Sequence, residues 1–188
     1  MARELIQAIR QSRYLTPAGT RNAFNALLLV LCLQWLYACP EKTIIPVMGA
    51  QPYDWNPYLF WDCPWLTNGE KHKGIDIIKK YGTPILASTH GIILYSGDLG
   101  KYGKAMIILS PGLRFHLYGH MSRMNRFVFP LVLRGTEIGA VGNTGTSDCP
   151  HLHYTIFSPL PDFRLFEKNN SGWLKMFFLN PHEVLTQQ

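Results

Sequence analysis

The sequence has no run of basic residues, no long amphipathic helical pattern from residue 72 onward and no apolar stretch reaching the ~20 residues of a free-standing membrane span. The first absence removes nucleic-acid modules as a reading, because their affinity comes from clustered Lys and Arg. The second leaves short strands as the organising elements. Acidic residues are also scarce, twelve against eighteen Lys and Arg, for a net charge of +6. Four arginines against Glu4 put +3 of this in the first 39 residues, and the rest of the chain carries the other +3. A mildly basic domain suits an anionic polymer without selecting one. With 188 residues, 47% of them hydrophobic, the chain can bury one sizeable core but not two.

Cysteine is sparse as well. Cys32 and Cys39 lie within and at the end of the apolar segment 26–39, leaving Cys63 and Cys149 to the rest. Ala26 to Ala38 carries no charge, and the leader 1–25 before it bears Arg3, Arg10, Arg13 and Arg21. That is the layout of a signal peptide or short signal anchor, expected as a hydrophobic helix, with the following domain exported. Leu36-Tyr37-Ala38-Cys39 also resembles a bacterial lipobox, which would put a lipid on Cys39. The two expectations, a membrane anchor or lipidation, stand side by side. The leader itself has an amphipathic pattern around Leu5-Ile6 and Ala8-Ile9.

Residues 40–66 combine Tyr53, Trp55, Tyr58, Phe60, Trp61 and Trp65 with several prolines. Such a stretch is expected to wrap and pack against a domain at 67–188. From there the chain reads as strands at 75–78, 84–88, 91–96, 104–109, 113–119, 137–141 and 151–157, with Gly or Pro at nearly every junction. Seven short strands argue for a mainly β fold, an antiparallel open barrel or two-layer sandwich. Residues 159–179 are expected as a connection with its tip near 168–172.

His151-Leu152-His153 opens the last strand, and alternation puts both imidazoles on one face. Upstream, His72 and Asp76 flank Gly74, whose freedom to bend would let them converge. Two nitrogens and one carboxylate oxygen, with a fourth position left for water, is the ligand pattern of catalytic zinc. His120 closes another apolar segment in Tyr118-Gly119-His120-Met121-Ser122.

On these residues the chain resembles the lysostaphin/LytM-type zinc peptidases that cut the peptide cross-links of bacterial peptidoglycan. The matching run includes Tyr81-Gly82-Thr83-Pro84-Ile85, Gly91-Ile92-Ile93, Gly100-x-Tyr102-Gly103, Ile138-Gly139 and Gly142-Asn143-Thr144-Gly145-Thr146-Ser147. The resemblance implies one zinc bound by His72, Asp76 and His153, with His120 and His151 flanking it as catalytic groups. It implies the peptide stems of peptidoglycan as substrate and the cell envelope as location. Relatives cut either glycine bridges or cross-links of D-alanine and a diamino acid, and the lack of an evident wall-targeting module leans toward the second. The alternative is an inactive relative that binds wall and activates a separate amidase. Such relatives lose metal ligands, and none of the five positions is altered.

Three further expectations attach to this frame. If the two ligand segments meet, their flanks meet too, so Cys63 and Cys149 are expected to form a disulfide beside the groove. On a straight strand His116 would share a face with Tyr118 and His120, either as a surface residue or near substrate. His90 reads as a turn residue and His182 as a surface residue.

Overall fold

The computed structural model describes residues 30, 41–64, 70–168 and 172–186. The leader, most of the apolar segment and the loop tip at 169–171 lie outside the described residues. Among the described residues, no helix is long and apolar enough to cross a membrane.

Among the described residues, ten strands form two antiparallel sheets: β1 (Ile75–Ile78), β2 (Pro84–Leu86), β3 (Gly91–Asp98), β4 (Lys104–Leu109), β5 (Phe115–Gly119), β6 (Arg123–Met124), β7 (Leu131–Val132), β8 (Glu137–Ala140), β9 (His151–Phe157) and β10 (Phe178–Leu179). The seven-stranded sheet runs β1-β9-β5-β4-β3-β7, with β10 continuing the β1 side of β9, and the smaller sheet runs β2-β8-β6. Each strand expected from the sequence is present within three residues at either end. The two-residue strands β6, β7 and β10 were not foreseen, because a pair of residues carries no measurable alternation. Two short helices follow, α1 (Gly172–Lys175) and α2 (Pro181–Thr186).

Alternation along the central strands decides which face is core. Ile75 and Ile77, Met106 and Ile108, and Leu152, Tyr154 and Ile156 point toward the small sheet. There they meet Ile85, Ala87, Ile138 and Val141 in one buried cluster. On the opposite face, Tyr95, Tyr102, Ala105, Ile107 and Leu117 make a second, smaller cluster. The upper half of that outer face carries the polar residues of β9.

The aromatic segment divides its roles by residue. Trp55 enters the main core and donates its indole N–H to His182 Nδ1 at 3.2 Å. His182 is therefore half-buried and tethered, not the plain surface residue expected. Trp61 is buried against Phe178, and its backbone N–H donates to His72 O at 2.6 Å. Tyr53 and Tyr58 stay exposed.

The expected Cys63–Cys149 disulfide does not form: both thiols are free, Cys149 exposed and Cys63 half-buried. The reason lies in strand direction. Each cysteine precedes its ligand strand, and β1 and β9 pair antiparallel, Ile75 with Tyr154 and Ile78 with His151. Antiparallel strands send their N-terminal flanks to opposite ends, so sharing a metal separates these flanks.

His116 is neither at the surface nor near a groove. It is fully buried on the core face, with Nε2 2.9 Å from Glu41 Oε1 and Nδ1 2.6 Å from Tyr154 Oη. Ser88 Oγ ties the same network together, 2.7 Å from both Tyr118 Oη and Tyr154 Oη.

Candidate metal centre

β1 and β9 set the site through their register, which pairs Asp76 with His153 across neighbouring strands. His72 precedes β1 and turns inward at Gly74. The glycine is required by closeness, because a Cβ there would strike the Tyr154 carbonyl and Thr155 hydroxyl of β9. Its backbone is not left-handed. The sequence thus pointed to the right residue through a bend when the cause is a close approach.

His120 reaches the site by a break in alternation. A straight β5 would send it to the core face with His116 and Tyr118. The strand ends at Gly119 and His120 adopts φ 60°, a left-handed conformation uncommon outside glycine. Its ring lies 4.8 Å from that of His151 and 5.8 Å from that of His153, between centroids. All five expected site residues are brought together.

His153 Nδ1 lies 2.8 Å from Asp76 Oδ1, and His72 Nε2 lies 3.2 Å from Asp76 Oδ2 and 3.2 Å from His153 Nδ1. One donor atom from each of the three falls within 4.8 Å of the others. The outward nitrogens are all held. His72 Nδ1 donates to Leu59 O at 3.0 Å, and His153 Nε2 meets Thr155 Oγ1 at 3.0 Å. His120 Nδ1 donates to Thr144 O at 2.7 Å, and His151 Nδ1 donates to Cys149 O at 2.8 Å. A carbonyl only accepts, so in the neutral rings of His72, His120 and His151 the lone pair sits on Nε2. Those of His72 and His151 face Asp76, with His72 Nε2 3.2 Å from Oδ2 and His151 Nε2 3.5 Å from Oδ1.

Electrostatics favour a cation at this point. Burial would raise Asp76, but hydrogen bonds and charge from His153 and His72 hold its carboxyl far below the usual carboxylate range. Burial pulls His72 down and the Asp76 carboxylate outweighs it, leaving a net rise. His153 is lowered, with burial outweighing Asp76. Burial first, then the neighbouring His153 and His151, lowers His120 to about 4. Two facing imidazole nitrogens and a carboxylate, each ring braced from behind, fit a tetrahedral N/O zinc site with one position open.

Sequence reasoning missed the groups that brace the rings. Leu59 O, Thr144 O and Cys149 O are backbone acceptors with no side-chain signature. Thr155 was legible, because it shares the face of His153 two residues on.

Residues 70–161 match the model of Peptidase family M23. The chain is 38% identical over 99 residues to the DD-carboxypeptidase/endopeptidase Mpg of Neisseria meningitidis serogroup B, covering 53% of this chain and 23% of that protein. It is 35% identical over 104 residues to lysostaphin of Staphylococcus simulans, covering 54% and 20%. It is 37% identical over 121 residues to the lipoprotein NlpD/LppB homolog of Pseudomonas aeruginosa, covering 59% and 40%. The chain thus spans from a fifth to two fifths of the length of these relatives. The solution structure of lysostaphin superposes with a TM-score of 0.51 at 25% identity, covering 81% of this chain and 52% of that one. Helicobacter pylori Csd3 shares the fold, with a TM-score of 0.53 at 24% identity over 77% of this chain and 34% of that one.

Proposed function

Because residues 70–161 form a peptidase family M23 domain, we propose that this chain is a zinc-dependent endopeptidase hydrolysing the peptide cross-links of bacterial peptidoglycan. The observation that carries the reading is the convergence of His72 Nε2, Asp76 and His153 Nδ1 with the rings of His120 and His151 beside them. His72, Asp76 and His153 would hold the zinc. Bound there, zinc supplies Lewis acidity for the scissile carbonyl and brings the pKa of a water to about 7.

The chain's own groups do the remainder. Asp76 keeps the site anionic and braces both ligand histidines. His151, fixed by the Cys149 carbonyl with its Nε2 beside Asp76, takes the proton from the attacking water. His120, fixed by the Thr144 carbonyl, faces it across the site. It stabilises the developing oxyanion or hands a proton to the departing amine. Water adds to the carbonyl carbon, the C–N bond breaks, and one carboxylate and one amine result.

The bond cut is either a glycine bridge or a cross-link of D-alanine and a diamino acid. The chain is read as the leader 1–25, an anchor or signal at 26–39, the aromatic segment 40–66 and the peptidase domain 67–188. It is exported and held at the membrane by the N-terminal segment or by lipid on Cys39. Purified full-length chain in detergent should release soluble muropeptides from sacculi when zinc-replete and none after chelation. Mass spectrometry of the products identifies the bond. Wall binding without release would favour the inactive relative instead.

A further inference from the structure

The register of the large sheet aligns one end of its strands. Leu131 pairs with Ile92, Ile92 with Leu109, Leu109 with Phe115 and Phe115 with Phe157. The metal centre lies toward the other end. His153 pairs with Gly119 four residues back along β9, about 13 Å from Phe157.

Just beyond the aligned end the surface is apolar. Leu113, Leu133, Leu160 and Phe163, all in turns at this end of these strands, are between 52% and 75% exposed. Leu160 and Phe163 line one groove with Arg114 and Arg164. Arg134 follows Leu133 in the turn that leaves β7. Exposed apolar side chains gathered at one end and mixed with arginines form an interaction surface.

The chain's own entry identifies what covers it. Glu41 Oε2 is 3.0 Å from Arg114 Nη1, and Glu41 Oε1 accepts from Ser110 Oγ at 2.6 Å, so the chain joins the fold at this same end. Pro40 is the only residue between Glu41 and Cys39, where the apolar segment ends. Two residues reach at most about 7 Å. If Ala26 to Ala38 is embedded, or Cys39 carries lipid, the domain has no tether with which to stand off.

We infer that this end of the domain is a membrane-docking surface, bedded in the headgroup region of the anionic bilayer that holds the N-terminal segment. The inference rests on the anchored reading proposed above. Aliphatic and aromatic side chains would enter the interface while Arg134, with Arg114 and Arg164 through the donors that Glu41 and Asp162 leave over, meets anionic headgroups. The His72–Asp76–His153 end of the sheet is then turned away from the lipid.

Photo-crosslinking tests this on the full chain in vesicles of phosphatidylglycerol and phosphatidylethanolamine, using a lipid with a diazirine near its headgroup. Flotation comes first. A chain that does not float with the vesicles overturns the anchor and the docked surface together. For a chain that floats, labels are expected in 111–114, 132–134 and 160–166, and not at Tyr53, Tyr58 or Tyr81, which are also exposed elsewhere. The double variant Leu160→Asp, Phe163→Asp should still float and lose label at all three stretches. Neutral phosphatidylcholine vesicles should reduce the label. Label confined to 26–39, or spread evenly over the exposed aromatics, overturns docking while leaving the anchor intact. No lipid label at these stretches, with a bifunctional amine-to-acid cross-linker yielding a covalent dimer from the same vesicles, would assign the surface to a second copy and overturn it as well.

Discussion

The sheet around β5 and β9 carries a polar cluster on each face, one built on His116 alone and one on several histidines, and the clusters differ in where their nitrogens aim. On the core face, His116 spends both ring nitrogens on neighbours: Nε2 on Glu41 and Ser110, Nδ1 on Tyr154 and Ser88. On the outer face, His72 and His153 turn one nitrogen each toward a shared carboxylate and toward one another. Both clusters are buried, and both contain a carboxylate. Burial of polar groups is thus no sign of chemistry here. A closed ring of hydrogen bonds holds the two sheets and residue 41 together, while convergence of lone pairs on one point leaves room for a cation.

Removing a ligand should break this contrast most completely. Asp76→Ala or His153→Ala is expected to lose both zinc and muropeptide release, read by metal analysis and sacculus digestion. His120→Ala and His151→Ala should keep the zinc and slow turnover by roughly 10²–10⁴, the usual worth of a general acid or base. Full turnover in zinc-replete His151→Ala would remove it from the proton path. Thr155→Val leaves the ligands in place and frees His153 from behind, so zinc affinity should weaken by about 10–100-fold. Competition with a chromophoric chelator measures that.

His116→Ala is the counterpart on the inner face. It takes one partner each from Glu41, which keeps Arg114 and Ser110, and from the Tyr154 hydroxyl, which keeps Ser88, costing about 1–3 kcal/mol in all. The urea midpoint should fall, while zinc per folded chain stays at the wild-type level. An equal loss of zinc would mean that the two faces are not separate.

Acid stability of the metal-free protein gives the smallest effect. His120 has a folded pKa of about 4 against about 6.5 unfolded. Between those values the unfolded chain binds a proton that the folded chain refuses, so stability falls as pH drops through that window. Asp76, held low by His153 and His72 against its burial, contributes fully above about pH 4 and loses its share only in stronger acid. His72, raised by Asp76 against its burial, runs the other way, and its contribution fades as pH rises. His120→Asn should flatten the fall from pH 6.5 toward 4 in urea midpoints. An unchanged slope would contradict the assignment to His120.

Much of this was legible because the signals were periodic or chemical. β9 shows strict alternation, so His151 and His153 were placed on one face from spacing alone. The strand list followed from Gly and Pro punctuation. What escaped depended on direction and on backbone. Antiparallel pairing of β1 and β9 separates Cys63 from Cys149, and spacing along a sequence does not carry strand direction. Residue type does not announce that His120 takes a left-handed backbone, so straight-strand reasoning gave His116 the wrong surroundings. The carbonyls of Leu59, Thr144 and Cys149 are positioned by turns, and any residue could supply them.

X-ray absorption at the zinc edge of purified full-length chain tests the central claim most directly, since it reads the donors around the ion. The account predicts one zinc per chain, imidazole nitrogen and carboxylate oxygen as protein donors, an exchangeable light-atom ligand, and no sulfur near ~2.3 Å. A sulfur shell from Cys149, or four protein donors closing the ion off, would contradict it.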